Sequence, residues 1–220
     1  TGIQNLDLYS YLCEVVPFPS KETQKIIADF LDGETAKIDE VVSKKQKLIE
    51  LLKEKRQALI TRAVTKGLDP EAKMKPSGID WLGEIPEGWE MKRFVFLFSF
   101  NKGLSITKEN LQAEGIPCVN YGEIHSKYGF EVNPLKNELR CVSNSYLENN
   151  QGSVLHYGDF VFADTSEDVE GAGNFTYLNS HELTFAGYHT IVTRPKIKID
   201  FRFFAYLFDS VSFRTQIRSM

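Results

Sequence analysis

Residues 61–89 read TRAVTKGLDPEAKMKPSGIDWLGEIPEGW, and the change of character inside this stretch divides the chain. Up to Lys66 the residues are good helix formers. Gly67 then supplies a stop, and Pro70, Pro76, Gly78, Gly83, Pro86 and Gly88 punctuate the segment after it. That spacing sustains neither a helix nor a long strand, so it predicts an irregular connector over residues 67–89. Trp81, Leu82, Ile85 and Trp89 are expected to anchor the connector to a core, with packing a simpler role for the tryptophans than ligand stacking.

Upstream, Pro17, Phe18, Pro19 and Ser20 form a stop-and-start signal, with Ser20 suited to cap a helix and Glu22 in its first turn. Ile26, Ile27, Phe30 and Leu31 fall on one helical face. Asp32 and Gly33 predict a local break or kink. From residue 34 to 63 there is no Pro or Gly. Ile38, Val41, Lys45, Leu48, Leu52, Lys55, Leu59 and Arg62 keep alternating three–four spacing there, a heptad seam with basic interruptions. Some thirty residues at ~1.5 Å each make a rod of roughly 45 Å. Packing on the chain's own globular part can cover one end of such a rod, so the seam predicts pairing with another long helix. The spacer helix is assigned to residues 17–66.

Downstream the period changes. Residues 94–100, 116–121, 159–163 and 189–194 read as strands, with Gly or Pro near most boundaries. Residues 201–217 read as a helix with Phe204, Leu207, Phe208 and Val211 on one face. The fold class predicted is therefore α+β: a long coiled-coil-type helix joined to a β-rich mixed domain over residues 90–220. Its polar and aromatic loops suit recognition, because loops carry binding groups on a rigid scaffold.

A chain of 220 residues with 42% hydrophobic content can bury one or two cores. No apolar run approaches a membrane span and no secretory leader is visible. Cys13, Cys118 and Cys141 are isolated and odd in number, which suggests neither a disulfide framework nor a zinc site and fits a reducing cytoplasm. The opening on Thr1 is expected of a processed terminus or of a piece of something longer. The net charge of −4 argues mildly against nucleic acid. Its distribution softens that: Lys44, Lys45, Lys47, Lys53, Lys55, Arg56, Arg62 and Lys66 face only Glu50 and Glu54, while Asp29, Asp32, Glu34, Asp39 and Glu40 lie earlier. Acids first and bases last complement the helix dipole. Contact with DNA or an acidic partner explains the same run equally well.

Catalytic signatures are missing. There is no phosphate-cradling Gly–Lys–Ser/Thr loop, no dinucleotide fingerprint, no Gly-x-Ser-x-Gly elbow and no Asn/Asp-Pro-Pro-aromatic motif. Gly171 and Gly173 are read as a turn. Asp159, Asp164, Glu167, Asp168 and Glu170 could suggest a metal-dependent nuclease, but no acidic-x-Lys comes after them, and a solvated loop is the simpler reading. His125, His156, His181 and His189 lack metal-ligand spacing. No catalysis, cofactor or metal is expected in this chain.

As a whole, the 61–89 string resembles the junction between spacer helix and target recognition domain in specificity subunits of type I restriction–modification systems. The resemblance recurs in GIPCVNYGEI (115–124), HYGDFVFADTSEDVEGAGN (156–174) and RFFAYLFDSVSFRTQI (202–217), which is similar to that family's closing helix. TGIQNLDLYSYLCEVVPFPSKETQKIIADFLD (1–32) resembles the end of a recognition domain followed by the spacer, with Thr23–Gln24 where the family usually has Glu–Gln. The resemblance implies a DNA-binding clamp: recognition domains read halves of a split target, and spacer helices set the gap. It also implies partners, namely double-stranded DNA, a modification subunit carrying S-adenosylmethionine, and a restriction subunit. For this chain it implies one recognition domain, two copies pairing antiparallel, and residues 1–16 completing a recognition domain of the same or a second copy.

Base readout needs bidentate donors and acceptors, and phosphate contact needs cations and hydroxyls. Lys102, Ser105, Thr107 and Lys108 offer these in one loop. Tyr121, Glu123, His125, Ser126, Lys127 and Tyr128 do so in a second segment, and Thr165, Ser166, Tyr188 and His189 in two more. The competing reading is a coiled-coil interaction protein whose β-rich domain binds protein, which the acidic composition favours.

Overall fold

The computed structural model describes residues 7–166, 171 and 173–218. The chain falls into two compact units, Thr1–Glu54 and Lys55–Met220. In the first, a short helix α1 (Leu8–Leu12) precedes the start of a long helix α2 (Lys21–Lys66). Ser20 caps α2, its hydroxyl accepting from the Thr23 amide at 3.3 Å. The predicted break at Asp32–Gly33 does not occur, and α2 runs through both residues. One glycine costs a helix only about 1 kcal/mol, less than the long run of helix formers on either side provides. On the other side Gly67, at φ +78°, ends α2, a left-handed turn that costs glycine nothing.

The seam is open to solvent. Ile38, Val41, Leu48, Leu52 and Leu59 are all at least half exposed, and Lys45 and Lys55 are exposed with them. Only the last turns pack, and they do so through a neighbouring face: Ile60, Val64 and Thr65 are buried. Those turns belong to the second unit. There Arg56 pairs with Asp209, Val211 N donates to Thr61 Oγ1, and Lys66 donates to the Glu84 carbonyl.

The connector holds a hairpin, β1 (Met74–Pro76) antiparallel to β2 (Glu84–Pro86). Ile85 is buried, and Trp89 meets Phe203 edge-on at 6.4 Å. Trp81 stays half exposed and, with Leu82 and Trp89, lines an apolar groove of about 650 Å³. The connector thus anchors itself more firmly through Ile85 and Trp89 than through Trp81.

The rest of the domain runs α3 (Phe94–Leu97), β3 (Phe98–Lys102), β4 (Ile116–Val119), α4 (Tyr121–Ser126), β5 (Glu131–Val132), β6 (Arg140–Val142), β7 (Val154–Leu155), β8 (Phe160–Ala163), β9 (Phe175–Leu178), β10 (Thr184–Ala186), β11 (Thr190–Pro195), α5 (Phe201–Asp209) and α6 (Val211–Arg218). Two mixed sheets form, ordered β3-β11-β8-β9-β5 and β6-β4-β10-β7. Alternation along the strands builds three apolar layers. Phe160 and Phe162 of β8 point towards α5, meeting Phe98, Phe175, Ala205 and Phe208. Val161 points the other way, into a layer between the sheets with Val119, Leu178, Ala186 and Val192. Phe185 and Cys118 face a third layer with Leu104 and Val142.

Three sequence-based boundaries change. Residues 94–100 read as one strand in sequence, but Phe94–Leu97 is a helical turn, because the ladder to β11 ends where Pro195 faces Phe98. Residues 116–121 shorten to β4, since Tyr121 already starts α4. The closing helix breaks at Ser210, whose hydroxyl donates to the Leu207 carbonyl at 2.6 Å and accepts from the Phe213 amide at 3.3 Å. That one side chain ends α5 and caps α6.

Candidate nucleic-acid interface

Four chain segments meet beside the β10–β11 turn. Gly103 N donates to the Thr190 carbonyl and Leu104 N to that of Ala186, each at 2.9 Å, so the loop leaving β3 lies against this turn. Gly187 N donates to the Val119 carbonyl at 2.8 Å, which brings in the start of α4. Approach is close enough that a Cβ on Gly187 would strike the Asn120 carboxamide, so glycine is required there by space. Asp164, just after β8, joins by donating its amide to the His189 carbonyl at 3.1 Å.

These contacts bring Tyr121, His125, Thr165, Tyr188 and His189 together. The Tyr121 ring stands edge-on to His125 (6.1 Å), Tyr188 (5.4 Å) and His189 (5.4 Å). His189 sits at φ +52°, a left-handed conformation that costs a non-glycine residue about 1 kcal/mol or more. Its Nδ1 is 3.2 Å from Asp164 Oδ1, which also accepts from Thr165 Oγ1 at 2.8 Å. The carboxylate therefore holds the strained turn in place. The Tyr188 hydroxyl is pushed above its ordinary range by burial, reinforced by Glu123, so it remains a neutral donor.

The other predicted residues divide. Lys102, Ser105, Thr107, Lys108, Ser126 and Lys127 are exposed, and Glu123 and Ser166 are half-buried. Thr107 opens a short turn in which its amide donates to Asn110 Oδ1 at 2.8 Å. Ser126 donates to the Gly122 carbonyl within α4. Tyr128 is a correction: its ring is buried in the layer between the sheets with Val132 and Leu178, so it is not presented with its neighbours. The apolar residues around it outweigh one hydroxyl.

Asp159, considered as a metal ligand, is bound otherwise. Arg194 Nε donates to both its oxygens at 3.1 and 3.0 Å, Arg194 Nη2 donates to Oδ2 at 2.6 Å, and His156 N adds a fourth bond at 2.8 Å. Glu167, Asp168 and Glu170 lie outside the described residues. Among the described residues no group of three or more His, Cys, Asp or Glu is placed to hold a metal. Burial pushes the Cys118 thiol upward, which makes it an inert core side chain. Among the described residues no helix is long and apolar enough to cross a membrane.

Sequence reasoning passed over Asn174 and Arg214. Asn174 lies behind His125, at 2.7 Å from its Nδ1, and Arg214 Nη1 donates to Asn174 Oδ1 at 2.8 Å. The one available signal was an arginine directly after Phe213 in the closing helix, which gives no partner.

No protein-family model matches the chain. Along its whole length it is 24% identical, over 224 aligned positions, to the type I restriction enzyme MjaVIII specificity subunit of Methanocaldococcus jannaschii. This chain is homologous to a type I specificity subunit. It spans about half of that curated relative, 49% of its length. Among solved structures, a chain from work on complex assembly and conformational transition of the type I R-M system superposes with a TM-score of 0.57. That superposition covers 90% of this chain and 43% of the other at 17% identity, a shared fold. The HsdS subunit of Thermoanaerobacter tengcongensis aligns over 93% of this chain and 44% of its own, at 17% identity and a TM-score of 0.49. The fold shared with that first solved chain is a long helix joined to a mixed β domain.

Proposed function

We propose that this chain acts in a non-catalytic DNA-recognition subunit. Residues 90–220 read one half of a split target, and the helix of residues 17–66 sets the distance to the other half. In this reading the subunit directs a methyltransferase subunit, which carries S-adenosylmethionine, and a restriction subunit to the site. The observation that carries the proposal is the convergence of Tyr121, Thr165, Tyr188 and His189 from separate segments onto one strained, hydrogen-bonded turn. Loops locked against each other present donors, acceptors and stacking faces in a fixed geometry, which base readout requires. Lys102, Lys108 and Lys127, with Ser105 and Thr107, supply the phosphate contacts around it.

The helix pairs antiparallel with a second copy through Ile38, Val41, Leu48, Leu52 and Leu59, whose exposure is otherwise unexplained for so regular a stripe. Residues 1–16 complete a recognition domain in the pair. Within them Tyr9, Tyr11, Leu12, Val15 and Val16 are exposed apolar groups suited to such docking. A structure of the pair with residues 10–16 away from both recognition domains ends that part of the proposal.

The central test is selection of duplexes from a random pool by this chain together with its modification subunit. An enriched, split sequence is expected, and its absence sinks the reading. Lys127→Gln should weaken all duplexes alike and lower the salt slope by about one unit, whereas Glu123→Gln should change the preferred sequence. Equal effects of both on cognate and random duplex remove these residues from the interface.

A further inference from the structure

A line of hydrogen bonds runs from α2 to the loop after β8, and the chemistry of each member fixes its neighbour. Arg56 Nη1 donates to Asp209 Oδ2 at 3.2 Å, and Asp209 Oδ1 accepts from Arg214 Nη2 at 3.3 Å. Arg214 Nη1 donates to Asn174 Oδ1 at 2.8 Å. A guanidinium only donates, so the Asn174 oxygen must face Arg214 and its amide nitrogen must face away. That nitrogen lies 2.7 Å from His125 Nδ1, and because an amide nitrogen also only donates, Nδ1 must accept. On the far side of the ring, Nε2 lies 3.2 Å from the Thr165 carbonyl oxygen, which only accepts. The proton of the neutral ring therefore belongs on Nε2. The opposite tautomer would set donor against donor at one end and lone pair against lone pair at the other.

We infer that Asn174 and Arg214 are positioning residues that hold His125 as its Nε2–H tautomer, through which His125 carries the Thr165 carbonyl and sets the loop presenting Thr165. Both ring nitrogens are then engaged within the protein, so His125 influences sequence preference by placing that loop and not by touching a base. Asp209, held from both sides by Arg56 and Arg214, keeps the guanidinium aimed at Asn174. The consequence for DNA rests on the proposed recognition function, but the tautomer does not.

Two readouts separate these. Long-range 1H–15N spectra of the labelled full chain, with the His125 signal assigned from His125→Gln, should show a protonated Nε2 and an unprotonated Nδ1. Asn174→Asp is nearly isosteric, keeps an acceptor for Arg214 and turns a carboxylate oxygen towards Nδ1. It should make Nδ1 protonated as well. A wild-type ring protonated on Nδ1 alone overturns the inference. Arg214→Lys keeps the charge but loses the two-pronged geometry, and it should speed amide exchange at residues 164–166 by about tenfold, one hydrogen bond's worth. Unchanged exchange in Arg214→Lys overturns the positioning role. In duplex selection, Asn174→Asp, which leaves Nε2–H on the Thr165 carbonyl, should keep the cognate-to-random ratio, whereas Arg214→Lys should lower it by roughly tenfold while random-duplex affinity stays within about twofold. A ratio preserved in Arg214→Lys overturns the link to specificity. If the wild-type chain enriches no sequence at all, the recognition reading falls, and the tautomer and exchange measurements still decide this inference.

Discussion

Leu48 and Leu52 on α2 are each 54% exposed, whereas Phe98, Phe160 and Phe208 in the domain are wholly buried. Both groups are large apolar side chains at regular spacing. What differs is whether the chain brings its own second surface. In the domain, each sheet face finds another layer: α5 covers one face of the five-stranded sheet, and the four-stranded sheet covers the other. The stretch of α2 in the first unit keeps its stripe open, and at ~25 cal/mol per Å² that stripe holds stabilisation released only when something covers it. A closed core thus supports a rigid loop surface, and an open seam supports association.

The largest test of this contrast is Phe208→Ala. The Phe208 ring meets Phe160 at 4.9 Å, Phe162 at 5.3 Å and Phe213 at 4.9 Å, so truncation leaves a cavity among rings that cannot close it. A loss of about 3–5 kcal/mol in urea unfolding is expected, against under ~0.5 kcal/mol for Leu48→Ala in the unpaired chain. Equal losses would erase the contrast. Asp159→Ala comes next. It strands Arg194 beside the Val154 carbonyl and frees the His156 amide, at a cost of about 3 kcal/mol by the same measurement. Replacement of both partners by apolar residues of similar volume should recover most of that loss.

The seam gives the third test. Leu48→Asp with Leu52→Asp puts two carboxylates in the stripe, and self-association measured by sedimentation should weaken by at least about a hundredfold, ~2.7 kcal/mol. The melting of the β-rich domain should stay where it was. Association that survives the double change would place the contact elsewhere.

The parts of this molecule legible in its sequence are those with a long or unambiguous local signal. The α2 helix, its Ser20 cap and its Gly67 stop arise from some thirty residues of consistent pattern and two punctuating side chains. β8 and β11 are legible to within one residue because their apolar runs are bounded by polar turns. β9 is not, because all four of its residues are buried and show no alternation, and β5, β6, β7 and β10 are two or three residues long. At the site, Tyr121, His125, Thr165 and His189 are legible as polar and aromatic loop residues, although nothing local shows that the loops meet. Tyr128 looks like one of the cluster because its burial is decided by Val132 and Leu178, which only the folded sheets bring to it. Arg214 and Asn174 are invisible for the same reason, being 40 residues apart.

The smallest expected effect concerns the glycine at the kink that sequence predicts. Gly33 lies inside α2 with no neighbouring atom where a Cβ would project, and its φ falls outside the left-handed region. Gly33→Ala should therefore raise helix stability by about 1 kcal/mol, seen as a later loss of the helical circular-dichroism signal on heating. A drop in helicity would mean that the working helix bends at Asp32–Gly33 after all. The same variant also probes the proposed pair. Glycine lets another backbone approach closely, so if a second copy packs on this turn, alanine should strengthen the helix while weakening self-association. If both quantities hold or rise, the contact between copies runs along Ile38 to Leu59 and leaves Gly33 facing water, which is where the heptad spacing puts it.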